Sequence, residues 1–573
     1  MRRSEYRYNR GMKTFIIIFS LFILSSAFGQ NGGYVKAQKK SDIHLVKAFG
    51  KSLETAPSSI NMNKNQIRTE AYKHKISRLH EIWSGEIKAK DRIATYLRSG
   101  KKENFDLNII YNAQKYLSNF LIEAFDSNNT VWVRDIAELY MIPLNYLTAS
   151  KSITIVNPII DLEQIDRKEV TGDWEFKLWL TPDSKRLKPD KTPFRSENNI
   201  SSSQFLYAVS VIIHYAIKNN LENDPVFSKF INSYYPIAMK HHYLRWIFNQ
   251  GLPKNEWGLI GSFGARGWKC NPGIFSHAEH IENLKNKRYG QDLIFKKIQD
   301  TKLNPHGYCN SYQDSDGWIA LGVAHLMAAH NLRPSLLHID SGTYDDLHKY
   351  LQASINLFNS RSGYDGKNRT MVFDLGGFYG FSHYDYSGYY EKKYPGWIGS
   401  KDDKNKIIKT TFEMPTKQKK SSWDMSHARR FVNFYWSFEK VINELNLDFT
   451  QENNLTLEES RFAYANNLML NTVKNDEDGV FFTNFICGNN GWYRVNYLDV
   501  SGAGDAPATS NQPSLGKSAL TGGQAYFIKY HPELNSSLKE MYDKHLLTKP
   551  ATTESHLQIM TEDLNGTASM PIF

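Results

Sequence analysis

The segment from Leu206 to Ala216 constrains the fold more than any other stretch. It reads LYAVSVIIHYA and is apolar nearly all round a helical wheel. A helix of that kind has no face to give to water, so it needs neighbours on both sides, like an inner helix of a layered bundle. Helical periodicity dominates the first two-thirds of the chain and predicts helices over about 64–98, 107–125, 131–149, 201–219, 226–249, 316–331, 343–359, 425–446 and 456–474. Long loops are expected near 160–200, 250–275, 300–315, 361–425 and 485–520. The recurring order is a pair of helices, then a loop rich in Tyr, Trp, Asn, Gly and His. Stacked helical hairpins closing into a ring would produce that order. The expectation is an all-α fold, an (α/α) toroid or incomplete helical barrel. It forms one catalytic domain over 30–573, with room for a small β-containing subregion from about 475. A chain of 573 residues with 41% hydrophobic and 23% charged residues can bury such a core without staples.

The N-terminal segment speaks to compartment. From Met12 there is a short basic start, an apolar run of about ten residues, and small residues at Ala27 and Gly29. This predicts a secretory signal peptide over 1–29, with Met12 as the true start and cleavage after Gly29. The run is short for a spanning helix, which needs ~20 apolar residues. The expected location is therefore exported, periplasmic or secreted, with no integral membrane segment after cleavage. The three cysteines, Cys270, Cys309 and Cys487, are widely spaced and form no disulfide framework or zinc signature.

The net charge is +11. No dense Lys/Arg block or recognition motif accompanies it, so nucleic acid is not the expected partner. The charge suits either a plain solvated surface or an acidic polysaccharide or oligosaccharide substrate. His277 with His280, and His325 with His330, do not match a zinc spacing. No phosphate loop, dinucleotide fingerprint or nucleophile elbow occurs. The expectation is no metal and no cofactor.

Four clusters can carry chemistry. The loop from Phe373 to Tyr390 sets His383 among five tyrosines and several glycines. Glycine lets backbone approach a ligand, and tyrosine offers a stacking face and a hydroxyl that passes a proton. The competing reading is a loop packed by its own aromatics. The stretch Ser421 to Phe431 carries Trp423, Asp424, Ser426, His427, Arg429 and Arg430. Asp424 or Ser426 can cap a helix here. Two arginines at a helix N-terminus oppose the dipole, which suggests an anionic group that needs them. A bridge to a loop acid would also explain one of them. Before the helix at 316, Asn310 and Tyr312 lie on a loop that Ser315 or Asp316 can cap. The fourth cluster, Phe485 to Arg494, is a turn signal first, with Tyr493 and Arg494 as candidate substrate contacts. Two smaller features, Lys240 to Trp246 and Asn129 to Asp135, read better as a core aromatic and a cap than as a cleft lining.

The cluster around His383 resembles polysaccharide lyases of the helical-toroid type, the group of alginate lyases, heparinases and chondroitin AC/hyaluronate lyases. In the last of these a Gly- and Phe-rich stretch precedes the catalytic His and a Tyr-Gly-Tyr-rich stretch follows. Here Gly377 and Phe378 precede His383, and Tyr386-Ser387-Gly388-Tyr389-Tyr390 follow. The family order Asn, His, Tyr, Arg corresponds to Asn310, His383, Tyr390, and Arg429 or Arg430. The spacings differ and the long β-rich tail of that family is missing.

The resemblance implies β-elimination on a uronate. Asn310 and Arg430 would neutralise the carboxylate, and His383 and Tyr390 would transfer protons. His427, Arg429, Tyr386, Tyr312, Trp423, Tyr493 and Arg494 would bind substrate. The product is a 4,5-unsaturated uronate, made by a lyase, or by a dehydratase if O4 is terminal; alginate or ulvan would suit. Two other readings stand beside it. A glycoside hydrolase on the same toroid would use two of Asp314, Asp316, Asp374, Asp385 and Asp424. A non-catalytic glycan-binding protein would use the aromatics alone.

Overall fold

The structure is a computed structural model. It describes Trp83, Tyr312 and Gly516 and residues 89–101, 105–157, 166–252, 276–286, 314–373, 397–401, 407–412, 422–425, 427–450, 453–476, 479–488, 518–521 and 523–545. The signal-peptide expectation lies outside these residues.

The described chain is mostly helical, with small antiparallel sheets. It opens with α1 (Ala89–Arg98), α2 (Asn108–Asp126) and α3 (Thr130–Met141). Asn129 caps α3 by accepting the Trp132 N–H, so this motif is a cap, as the simpler reading had it. The helix expected over 131–149 stops early, because Pro143 sits in a 3₁₀ turn over Ile142–Tyr146. The strands β1 (Thr148–Asn157), β2 (Asp166–Leu178), β3 (Thr181–Leu187) and β4 (Pro193–Ser196) follow. Strands therefore enter far earlier than residue 475, in a region expected to be helix and loop. The period-2 pattern of Trp174, Phe176 and Leu178 is the signal for them. β1 pairs with β2 antiparallel, with a register shift between Ser150 and Ser152, and β3 pairs with β4.

α4 (Asn199–Lys218) is the all-round apolar helix. Asn198 caps it through the Ile200 and Ser201 N–H groups, and every residue from Asn199 to Ile217 is buried. It is long and apolar enough to cross a membrane, yet its whole apolar window is covered by protein. α5 (Pro225–Pro236) is capped by Asp224. Pro236 lacks the N–H that a regular ladder needs, and the chain widens into a π-helical turn over Ile237–Tyr243 before α6 (Leu244–Phe248). The helix expected over 226–249 is thus three pieces. Next come α7 (His277–Asn286), absent from the sequence reading, then α8 (Asp314–Leu332) and α9 (Ser341–Ser360). The hairpins β5 (Ser362–Asp365) with β6 (Thr370–Phe373), and β7 (Trp397–Lys401) with β8 (Ile407–Phe412), lie where a continuous loop was expected. α10 (Arg429–Leu445) starts four residues later than expected. α11 (Leu457–Asn467) carries a Thr456–Glu459 capping box and runs into a π turn, then β9 (Val473–Asp476) and β10 (Gly479–Phe482). α12 (Ser518–Thr521) and α13 (Leu534–His545) close the described chain.

α4 packs against α2 and α8, and α8 packs in turn against α10. One apolar cluster runs from Trp83 to Met541, and a smaller one lies under β1 and β2 around Phe176 and Leu180. Tight approach to α8 depends on Gly322. A Cβ there would overlap the Tyr243 hydroxyl, and that ring is buried and within hydrogen-bond distance of Ser210 Oγ at 3.2 Å. Gly322→Ala is expected to cost about 1–3 kcal/mol despite the better helix propensity of alanine. Urea unfolding checks it; a stabilised variant would show that Tyr243 moves aside freely.

Candidate functional site

Trp423 is the floor of the candidate site. It is fully buried and flanked by Tyr312, by Phe373 of β6 and by Phe431 of α10. Its ring centroid lies 6.5 Å from Tyr312, 5.9 Å from Phe373 and 5.2 Å from Phe431. Behind it Phe358 of α9 stacks on Phe373 at 4.5 Å and on Phe434 at 3.7 Å. Tyr312, Trp318, Trp423, Phe431 and Arg430 line a small gap here that has room for about one water molecule. It is a packing gap, too small to hold a sugar.

The chain ends that converge on this floor carry the information. Tyr312 directly follows the segment holding Asn310, and its ring sits 5.4 Å from Phe373. Phe373 is the last described residue before the segment holding His383, Tyr386 and Tyr390. Ser422 Oγ donates to the Phe373 carbonyl, and its N–H donates to Cys487 Sγ at 3.5 Å. The Trp423 carbonyl accepts the Ile486 N–H at 3.0 Å, and the Asn484 carbonyl accepts the Met425 N–H at 2.7 Å. Asp424 bridges to Phe485. Gly488, two residues past Ile486, is the last described residue before the segment with Tyr493 and Arg494. Gly516, on the far side of that segment, donates its N–H to Asn484 Oδ1 at 3.2 Å. Asn310, His383, Tyr386, Tyr390, Tyr493 and Arg494 themselves lie outside the described residues.

Asp424 does not cap α10 directly. Ala428 holds the N-cap position, and Asp424 instead closes the turn before it, its carbonyl accepting the Ala428 N–H at 2.9 Å. Its carboxylate is fully buried and grips His427 twice. Oδ1 accepts the His427 backbone N–H at 3.0 Å, and Oδ2 accepts from Nδ1 at 2.6 Å. Arg429 is the first residue of α10, its side chain outside the described set. Arg430 is second, is 5% exposed, and donates through Nη1 to the His427 carbonyl at 3.4 Å.

A second carboxylate–imidazole couple sits at the start of α8. His277 Nε2 lies 2.7 Å from Asp316 Oδ1, and its Nδ1 lies 2.9 Å from the Tyr350 hydroxyl. Burial, and then the Asp316 charge, push the Tyr350 phenol well above its ordinary range, so it stays a donor. The neutral ring then accepts from Tyr350 at Nδ1 and donates to Asp316 from Nε2. The three groups come from α7, α8 and α9. They tie down Ser276 and Tyr312, the described ends of two further segments. Asp316 was expected as a cap or as a hydrolase carboxylate; its neighbours His277 and Tyr350 lie 39 and 34 positions away, and no local pattern announces them.

The Lys240–Trp246 motif is also a core feature. Arg245 makes a two-pronged bond to Glu197, at 3.0 and 2.8 Å, with Trp246 Nε1 on the same carboxylate at 3.3 Å. Among the described residues no group of three or more His, Cys, Asp or Glu could hold a metal ion. Comparison with protein-family models, with curated proteins and with solved structures finds no match to this chain.

Proposed function

We propose that the chain is an exported enzyme of helical-toroid build that eliminates across C4–C5 of a uronate in an acidic polysaccharide or oligosaccharide. One observation carries the reading. The described ends of the segments bearing Asn310, His383, Tyr390 and Arg494 meet at one aromatic floor, beside Arg430 and His427. A uronate C5 hydrogen becomes acidic once its carboxylate is neutralised, which Arg430 and Asn310 do in this scheme. His383 and Tyr390 move the protons, and an aromatic floor suits the apolar face of a sugar ring. The group at O4 leaves, as a sugar from a lyase or as water from a dehydratase.

The hydrolase reading has two of its candidate carboxylates, Asp316 and Asp424, with described side chains; Asp374 and Asp385 lie outside the described residues. It needs two carboxylates facing a sugar from either side. Asp316 and Asp424 are both at most 2% exposed, and each is bonded to a histidine.

The test is ultraviolet absorbance of the conjugated enoate on a panel of polyuronates and their pre-cut oligosaccharides. Product with a rise on polymer identifies a lyase, and loss of one water from an oligosaccharide identifies a dehydratase. New reducing ends with no absorbance would overturn elimination. Given activity, Arg430→Met is expected to lower kcat/KM by about 10²-fold or more, as for loss of a donor to a developing anion. An unchanged kcat/KM would remove Arg430 from the site.

A further inference from the structure

A 3₁₀ turn runs over Gln524–Lys529. Tyr526 and Lys529 are three apart in it, a spacing at which side chains eclipse, and Tyr530 follows at once. This face of the turn meets Glu439 of α10 and Arg461 of α11. Glu439 Oε2 accepts from the Tyr526 hydroxyl at 2.7 Å, from Arg461 Nη1 at 2.9 Å and from Lys529 Nζ at 3.1 Å. Arg461 Nη1 also donates to the Tyr530 hydroxyl. Lys529 Nζ lies over both rings, 4.1 Å from the Tyr526 centroid and 5.2 Å from that of Tyr530. The Arg461 guanidinium lies over Tyr530 at 5.4 Å.

One carboxylate oxygen thus serves two cations and a phenol. Burial works against the Glu439 charge, but Lys529, the Tyr526 hydrogen bond and Arg461 hold it below the usual carboxylate range, so it stays an anion. Lys440 stands 4.0 Å from the other oxygen and is itself held by Asp126 at 2.7 Å. Among the described residues Glu439 is the only carboxylate paired with Arg461 or Lys529, and one carboxylate cannot neutralise both. The surplus charge is accessible, since the Lys529 side chain is 40% exposed. It is also held in place: two rings and Glu439 order the lysine before any ligand arrives, which removes part of the entropy cost of binding. We propose that this patch is a second binding site for an acidic glycan, taking a uronate carboxylate against Lys529 and Arg461; the identity of the ligand rests on the reading above. The patch is separate from the Trp423 floor. Glu439 lies two and a half turns beyond Arg430 on α10, on the opposite side of the helix and about 13 Å along its axis. A site there holds the chain and leaves the reacting bond alone.

The experiment is affinity electrophoresis of the full chain through gels holding an alginate-type polyuronate, a neutral glucan or duplex DNA. The wild type is expected to be retarded by the polyuronate alone. Lys529→Gln is expected to weaken that binding about tenfold, as for one lost hydrogen bond to a charged group, and Lys529→Arg to keep it. Thermal unfolding of both variants separates lost binding from lost fold. Where the wild type yields enoate, Lys529→Gln should raise KM on polymer and leave kcat/KM on short pre-cut oligosaccharides unchanged. Retardation of Lys529→Gln within twofold of wild type would overturn the site. Equal retardation by DNA, lost equally in Lys529→Gln, would overturn the glycan assignment in favour of a general polyanion surface. Polyuronate binding without enoate on any substrate would leave this site standing and remove elimination. Enoate without retardation would remove this site alone.

Discussion

Arg245→Ala is expected to destabilise the chain by about 3–5 kcal/mol, the usual cost of breaking a buried ion pair from one side. Glu197 and Arg245 are both fully buried, and the pair is joined by Trp246. His242 Nε2 stands 3.4 Å from the same carboxylate. Burial pushes Glu197 above the usual carboxylate range, while Arg245 and Trp246 pull it back. Removing Arg245 leaves burial opposed only by the Trp246 hydrogen bond, and the stranded carboxylate should take up a proton. A carboxylate whose folded value is raised contributes most at low pH and loses that contribution as pH rises. The destabilisation should therefore be larger at pH 8 than at pH 5. Urea unfolding at the two values checks this. A loss under 1 kcal/mol would show that water reaches Glu197 and solvates it. The pair joins Glu197, two residues before α4, to α6, so the same variant should loosen the seat of the central helix.

Acid should unfold the protein well above the carboxylate range. Burial lowers His214 to about 3, and drives His242 and His325 well below their ordinary value. Nearby cations add to this: Lys218 for His214, Arg245 for His242, and Lys218 and Lys440 for His325. The unfolded chain takes up these protons near pH 6.5, whereas the folded chain refuses them. Stability is thus intact above about pH 6.5 and falls as pH drops toward the folded values. His214 should cost roughly 2 kcal/mol at pH 5, and His242 and His325 act in the same direction. His325→Gln keeps a donor and an acceptor near His214 but cannot ionise, so it should shallow the pH dependence. Stability that is flat from pH 7 to pH 5 would show that the folded chain already accommodates these charges.

What was legible in the sequence followed from local pattern. α4 could be read from its all-round apolar surface, because no other arrangement buries such a helix, and its 19 residues from Asn199 to Ile217 are indeed buried. α8 was legible from the same kind of pattern, α9 from its amphipathic helical period, and Asn129 from cap chemistry. The early strands also had a local signal, but helix periodicity around Val131 to Met141 was carried on past Pro143, where the missing N–H ends it. Likewise Pro236 turned one expected helix into three pieces.

The candidate site divides differently. Sequence alone picked out the segments rich in residue types that can carry chemistry, since residue type and spacing are written locally. It also placed His427 and Arg430 near one another, because they share a turn. Only the tertiary structure decided that Asp424 holds the His427 ring and does not cap α10. Only it joined Asp316 to His277 and Tyr350, Arg245 to Glu197, and Phe373 to Trp423. Those partners lie up to dozens of positions apart. Such pairs form because a buried polar group must find a partner wherever packing brings one, and no local periodicity encodes that choice.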